Sequence, residues 1–423
     1  MPISEVPDRE TIVLGCLYEF TSLLQKLVDD FNQISDQYEV VVETYADSGK
    51  YNDVMDAVTR INTEIAIGHA PDILVLASNY INLDSFAEKG VFVDLNEMIA
   101  NSQMLKKEDI LDSVISTFTY DKKLVGLPLF FSIDTLYGKT SVVGEKNGWT
   151  IQELKALMDE YPDRNIIKYA MKDDMLLSLI SLNKDTFIDW ENGRCYFDGN
   201  EFKELLELMN RFPASVDKEY FKNVEPLLYR HTVRLNNFQN YQLILAVMQE
   251  PVNFIGFPTP DGTKGIGLVE DGGVYTIISQ SKHKEGAWAF IEYLLTQEIP
   301  FDSHFSVNKN VLDQQIERAK NGIYGYITDN FEPVPGPDGE MPLRSKVSIS
   351  YDGEMIPIYA PTQEDIDEFY ALIDSAVGII PRSDDILKII SEEAAAYFIG
   401  IKTLDQVADI IQNRAQIYVS ENQ

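Results

Sequence analysis

Thr11-Ile-Val-Leu-Gly-Cys-Leu17, Glu39-Val-Val-Val-Glu-Thr-Tyr45 and Pro71-Asp-Ile-Leu-Val-Leu76 are three short apolar runs rich in β-branched residues. Runs of this length and composition fit buried strands. Between the first two, Phe20, Leu23, Leu24, Leu27, Val28, Phe31 and Ile34 recur at helical spacing. Between the second and third, Tyr51, Val54, Met55, Val58, Ile61 and Ile65 do the same. Strands alternating with amphipathic helices predict a βαβαβ unit, with right-handed connections and a parallel sheet covered on both faces. Ligands of such sheets sit beyond the carboxyl ends of the strands. Here those ends are Tyr18-Glu19, Ala46-Asp-Ser-Gly-Lys50 and Ser78-Asn-Tyr80.

Further along, a polar turn within Thr119-Tyr-Asp-Lys-Lys-Leu124 precedes Val125-Gly-Leu-Pro-Leu-Phe-Phe131, which reads as a strand crossing into a second α/β region. That region opens a helix at Thr150, with Glu153 at the third position, the pattern of a capping box. Helices are expected near Met175 to Leu182 and Glu201 to Asn210, and strands at Leu243 to Val247, Val252 to Phe257 and Gly273 to Ile278. Ala287, Phe290, Ile291 and Leu294 mark a helix behind the last of these. Residues 332–345 are rich in Pro and Gly and read as a loop; Val347 to Ile358 reads as a hairpin turning at Asp352-Gly353. From Thr362 onward the pattern is helical.

Composition narrows the function classes. The 423 residues carry 35 Lys plus Arg against 68 Asp plus Glu, a net charge of −33. That balance repels nucleic acid and anionic membranes. A hydrophobic content of 45% gives each of two or three lobes a core, at roughly 150 residues per domain. The two cysteines, Cys16 and Cys195, are too few for a disulfide framework and read as small buried hydrophobes. No uncharged apolar run of about 18 residues is present, as a membrane span would require. The N-terminal stretch lacks the basic and apolar parts of a signal peptide. It fits either a native cytoplasmic start or a chain from which a signal or lipoprotein anchor has been removed.

Catalytic signatures are scarce. Gly265-Ile-Gly267 lacks the third glycine of a dinucleotide fingerprint. Gly138-Lys139-Thr140 has Ile133 where a phosphate loop needs its first glycine. His69, His231, His283 and His304 stand singly, whereas transition-metal sites gather several ligands. The neighbours Asp173-Asp174 and Asp384-Asp385 could act as acid and base in glycoside hydrolysis. With 68 acids in the chain, such neighbours are expected by chance, and solvated helix N-termini are the better reading of both. No metal, cofactor or catalytic group is expected.

The order of further motifs carries a resemblance. Tyr38-Glu-Val-Val-Val42, Gly68-x-x-Pro71-Asp72-Ile73, Ala87-x-x-Gly90-x-x-x-Asp94-Leu95 and Leu124-Val-Gly126-Leu-Pro128 come first. Gly148-Trp-Thr-x-x-Glu153-Leu154, Ser281-Lys-x-Lys-Glu-x-Ala287-Trp-x-Phe290, Gly400-Ile-Lys-Thr-Leu-Asp405 and Gln412-Asn-Arg-x-x-x-Tyr418 follow. In this order the chain resembles the family 1 extracellular solute-binding proteins of ABC importers, which are maltose-binding-protein-like. The hairpin at Val347 to Ile358 and Phe187-Ile-Asp-Trp-Glu-Asn-Gly193 look closest to acidic lipoprotein members of Gram-positive bacteria.

The resemblance implies an α/β, two-lobed, periplasmic-binding-protein-like fold of type II, with a central sheet flanked by helices in each lobe and a ligand cleft between them. Lobe one is expected over 11–124 and 268–320, and lobe two over 125–267 and 321–423. The implied function is a monomeric, non-enzymatic receptor, extracellular or periplasmic, that delivers an oligosaccharide or other sugar to a membrane permease. A polyamine binder and a carboxylate-based glycosidase are the alternatives. A sugar site combines aromatic faces with carboxylates and amides. Strand-end loops supply such groups, and the candidates in lobe one are Tyr18, Glu19, Asp47, Asn79 and Tyr80, with Asp271 and Tyr275 from the returning segment. In lobe two they are Phe131, Asp174, Phe238, Tyr241 and Arg382.

Overall fold

Along the chain, β1 (Glu10–Cys16), α1 (Ser22–Ile34), β2 (Tyr38–Thr44), α2 (Tyr51–Ile67) and β3 (Ile73–Leu76) follow in the order the apolar runs predict. This is a computed structural model describing residues 9–17, 22–46, 51–77, 81, 83–215, 224–230, 235–297, 304–320, 347–351, 354–379 and 385–421. β1 pairs in parallel with β2 and with β3, Leu14 lying opposite both Val42 and Ile73. Because side chains alternate along a strand, Ile12 and Leu14 face one side of the sheet and Leu74 and Leu76 the other. Val54, Ala57 and Ile61 of α2 pack on the Leu74 and Leu76 side.

The chain continues through a hairpin, Thr119–Tyr120 against Lys123–Leu124. Its turn residues Asp121 and Lys122 both have positive φ, 42° and 68°, as a two-residue primed turn requires. Then come β4 (Leu127–Asp134), β5 (Leu136–Lys139), α3 (Ile151–Glu160), β6 (Ile167–Lys168), α4 (Lys172–Leu182), α5 (Lys184–Phe187) and α6 (Asn200–Asn210). After these stand β7 (Leu228–Arg230), α7 (Phe238–Met248), β8 (Val252–Asn253), β9 (Ile266–Ile277), α8 (Lys284–Thr296) and β10 (Phe305–Ser306). The last part holds β11 (Val347–Tyr351), β12 (Glu354–Ile358), α9 (Gln363–Asp374), β13 (Ala376–Ile379), α10 (Asp385–Phe398) and α11 (Leu404–Glu421).

Two compact units result, Met1–Phe131 with Glu270–Gln315, and Ser132–Val269 with Ile316–Gln423. In the first, the sheet order is β10-β4-β9-β3-β1-β2. β9 lies antiparallel to β3, with Val274 opposite Leu76. On the Ile12 side, Phe31 of α1 meets Phe290 of α8 edge-on at 5.1 Å. Gly286 lets α8 close on β1, since a Cβ there would stand 2.4 Å from Ile12 Cδ1. Both faces of the sheet around β1 are therefore covered, as its parallel β2-β1-β3 part demands.

The second unit has a four-stranded sheet, β8-β5-β7-β6. Its core joins Leu154, Leu176, Leu179, Leu205, Ile390 and Ile411 from five helices. Phe202 sits edge-on to Phe197 at 5.1 Å and to Phe187 at 5.6 Å. The capping box forms as expected: the Glu153 amide donates to Thr150 Oγ1 at 3.1 Å and the Thr150 amide to Glu153 Oε2 at 2.8 Å.

Some local expectations are corrected. Leu243 to Val247 lies inside α7, a helix in which Tyr241, Gln242, Leu243 and Ile244 are all buried. A short helix buried on most sides has the same apolar run as a strand. Of Val252 to Phe257, only Val252–Asn253 is a strand, while Phe257 forms a single bridge with Gly265. β9 begins at Ile266, ahead of Gly273. The region after Thr362 holds a strand, β13, which pairs in parallel with the start of β9. The hairpin β11 and β12 is antiparallel as expected, while its turn and the 332–345 loop fall outside the described residues.

Two outcomes follow from these packings. Burial pushes the Cys16 thiol up to about 12 and the Cys195 thiol up to about 11. Ellman's reagent at pH 8 is expected to leave both untouched in the native protein and to titrate both in denaturant; rapid native labelling would show an open core. Gly273 has φ +85°, and a Cβ there would stand 2.8 Å from Val75 Cγ1 and 3.2 Å from the Leu76 carbonyl. Gly273→Ala is expected to destabilise by about 1–2 kcal/mol from the left-handed backbone alone, seen as a lower melting temperature.

Candidate functional site

Parallel strands put their carboxyl ends on one edge, so Leu17, Ala46 and Ala77 mark that edge of the first unit. The antiparallel register of β9 brings Asp271, Gly272 and Gly273 to the same edge, beside the end of β3. Tyr45 is anchored behind it: its hydroxyl donates to Glu64 Oε2 at 2.5 Å, and the Arg60 guanidinium lies 4.7 Å from its ring centre. Arg60 also reaches Glu43 at 2.7 Å and Glu64 at 2.8 Å. These contacts fix the end of β2 onto α2.

Asp271 is half-buried, and its carboxylate acts on His304. Burial pushes the His304 imidazole below its usual range, against the opposing pull of Asp271. The imidazole packs on the Phe130 ring with centres 5.5 Å apart. Its Nδ1 is buried with no hydrogen-bond partner among the described residues. Phe130 itself lies 3.7 Å from the position a Cβ would take at Gly272. An acid, an imidazole and a phenyl ring thus gather beside two glycines of positive φ.

In the second unit, β6 and β7 are parallel, so Tyr169 and Arg230 stand at one edge. β5 runs antiparallel to β7 with Leu136 opposite Arg230, which places Asp134 there too. Arg230 holds Asp134 with two hydrogen bonds of 2.8 and 3.2 Å and donates to Ser178 Oγ at 2.9 Å. The guanidinium covers the Phe257 ring at 5.3 Å. Arg230 and Asp134 side chains are only 12% and 8% exposed, so this is a buried, two-pronged ion pair. Tyr169 has φ 66°, a conformation a bulky side chain rarely adopts. α4 starts just beyond, with Asp173 and Asp174 exposed in its first turn. Burial and then the Asp174 charge raise the Asp173 pKa.

The candidate residues named from sequence divide into three groups. Asp271 and Asp174 stand at the two described edges, half-buried and exposed respectively. Phe131, Phe238, Tyr241 and Tyr275 are at most 2% exposed, which leaves no ring face open in the structure described. Phe131 stacks on Phe305 at 5.4 Å, Phe238 meets Phe369 at 5.0 Å, and the Tyr241 hydroxyl donates to the Asp365 carbonyl at 3.1 Å. Tyr18, Glu19, Asp47, Asn79, Tyr80 and Arg382 lie outside the described residues.

Asp134, Arg230 and His304 were not singled out from sequence. Asp134 ends the apolar run that starts at Val125, so the strand-end rule could have found it. Arg230 and His304 follow no periodic signal. Among the described residues, no group of three or more His, Cys, Asp or Glu could hold a metal ion.

Comparison with known proteins places this architecture. The family model of bacterial extracellular solute-binding proteins matches residues 19–299. The sugar-binding protein MalE from the phytopathogen Xanthomonas citri is similar at 16% identity, with 98% of each chain covered and a TM-score of 0.61. The Thermotoga lettingae solute-binding protein bound with α-D-tagatose matches at 15% identity, with coverage of 97% of this chain and 100% of that one and a TM-score of 0.57. Lmo0181 from Listeria monocytogenes, in complex with cycloalternan, matches at 14% identity, with coverage of 98% and 99% and a TM-score of 0.56. No curated protein matches the sequence. At these identities the likeness shows a shared two-lobed fold.

Removing one partner of a buried ion pair strands the other charge. Asp134→Ala is therefore expected to cost about 3–5 kcal/mol, read as a shift in the denaturant midpoint. A change within about 0.5 kcal/mol, the usual range for surface substitutions, would show that Arg230 reaches water.

Proposed function

The chain belongs to the bacterial extracellular solute-binding proteins, and on that premise we propose that it is the substrate receptor of an ABC transporter. It captures an oligosaccharide or other sugar by hinge closure and delivers it to the membrane permease. The supporting observation is the chemistry gathered at the strand edges: Asp271 with His304 and Phe130 in one unit, and Asp174 with the Asp134–Arg230 pair in the other. Carboxylates accept from sugar hydroxyls and an imidazole donates, while the buried Asp134–Arg230 pair holds its edge in place. The sugars bound by the Thermotoga lettingae and Listeria monocytogenes relatives favour the same ligand class.

In this proposal the two compact units are the lobes, and ligand stabilises the closed state through differential contacts. Asp271 and Asp174 contact ligand, joined by Tyr18, Glu19, Asp47, Asn79, Tyr80 and Arg382 from the neighbouring loops. Phe131, Phe238, Tyr241 and Tyr275 serve as packing behind the edges. The family is one of binding proteins, and the protein turns over no substrate. It works as a monomer outside the cytoplasmic membrane, held by a lipid anchor or free in a periplasm. No described helix is long and apolar enough to cross a membrane.

A thermal-shift panel of mono- and oligosaccharides, polyamines and oligopeptides tests the proposal. A ligand at a hundred times its dissociation constant stabilises by about 2.7 kcal/mol, so one sugar class is expected to raise the melting temperature. Asp271→Ala and Asp174→Ala are each expected to abolish that rise while leaving the unliganded melt in place. A rise with spermidine and none with any sugar would replace the ligand class. Hydrolysis of a sugar on the panel would replace the receptor with a glycosidase.

A further inference from the structure

A pocket of about 250 Å³ opens in the second unit among α3, α4, α5 and α6. It lies toward the carboxyl end of α4, whereas Asp174 and the strand edge are at its amino end. The floor is apolar: Leu179, Phe187, Leu205 and Leu208 line it and all are buried. One polar side chain breaks that floor, Asn183, only 8% exposed. Asn183 Nδ2 donates to the Leu179 carbonyl at 2.8 Å and the Pro258 carbonyl at 3.3 Å. Both amide hydrogens are thereby engaged, and no donor among the described residues reaches Oδ1. That leaves Oδ1, on a residue that lines the pocket, as an acceptor for a ligand N–H.

The rim supplies charge. Glu201 and Glu204 stand exposed on α6, three residues apart and so on one face, and both line the pocket. No described cation pairs with either. The lining's one cation, Lys155, donates instead to Asp159 at 2.8 Å. An apolar floor, an amide acceptor and two carboxylates with no described cation partner call for a ligand with an apolar body and a cationic donor. For scale, an apolar cavity of about 150 Å³ holds benzene, so this pocket has room for a ring and a short amine tail. We propose that this pocket is a second binding site, separate from the strand edges, for a small aryl or alkyl amine.

Calorimetric titration of the full chain with 2-phenylethylamine, 2-phenylethanol and 3-phenylpropionate tests the site. The amine is expected to bind with one-to-one stoichiometry, the alcohol about three- to tenfold more weakly, and the acid more weakly still. Glu201→Gln with Glu204→Gln, both exposed changes, is expected to bring the amine down to the affinity of the alcohol. Thr186→Trp, which places an indole at the half-buried pocket wall, is expected to remove binding of all three. Equal affinities for the three probes would overturn the charge assignment. Amine binding that survives Thr186→Trp in a folded protein, or no saturable binding, would overturn the site.

Discussion

The antiparallel seating of β9 beside β3, with Val274 opposite Leu76, is the constraint on which the first unit depends. β1, β2 and β3 are local in sequence and set their own parallel register, but that sheet would end at β3 without a strand arriving from far along the chain. The hydrogen-bond ladder of an antiparallel pair admits β9 only in discrete registers. A slip by one residue would move Tyr275 and Ile277 to the opposite face of the sheet, exchanging them with Val274 and Thr276 in a segment where all four are buried. Gly273 makes the register possible, because its backbone passes too close to Val75 and Leu76 for any side chain. The same register delivers Asp271 to the edge where β1, β2 and β3 end. Fold and candidate site therefore rest on one pairing.

The second unit is organised around a different device. Its sheet has short strands, two to four residues each, so the ladder alone specifies little. Asp134 and Arg230 join the end of β4 to the end of β7 across 96 residues of sequence, and Ser178 ties α4 to the same guanidinium. Desolvating two charges offsets much of their attraction, so such a pair contributes more to specifying one arrangement than to net stability. The surface ion pairs, such as Lys155 with Asp159 and Lys203 with Asp405, contribute little each. With 68 acids against 35 basic residues, the acids outnumber the partners available to them, and a net charge of this sign disfavours anionic partners.

Where the chain was legible, a local pattern repeated within one window. β1, α1, β2, α2 and β3 were readable because short apolar, β-branched runs alternate with segments whose apolar residues recur with a period near 3.6. The capping box at Thr150 was readable because its two partners are three residues apart. The errors share a cause. α7 reads as a strand because packing surrounds it with Phe254 and Phe369, which removes the polar face that would have shown helical periodicity. β13 is four residues long, and it exists as a strand only because the start of β9 pairs with it.

For the candidate site, sequence named Asp271 and Asp174, which the structure places at the two strand edges. It could not tell an edge aromatic from a core one, since Phe131 and Tyr275 sit in apolar runs whichever way they point. It also missed Arg230, His304 and Asn183, whose surroundings are assembled from segments remote in the chain. Sequence by itself determined the order of β1, α1, β2, α2 and β3, the cap at Thr150, the acidic balance and two cysteines unsuited to a disulfide framework. Tertiary structure alone decided the register of β9, the Asp134–Arg230 pair and which rings are buried. Periodicity and capping act between near neighbours, whereas pairing and burial depend on chain segments that only folding brings together.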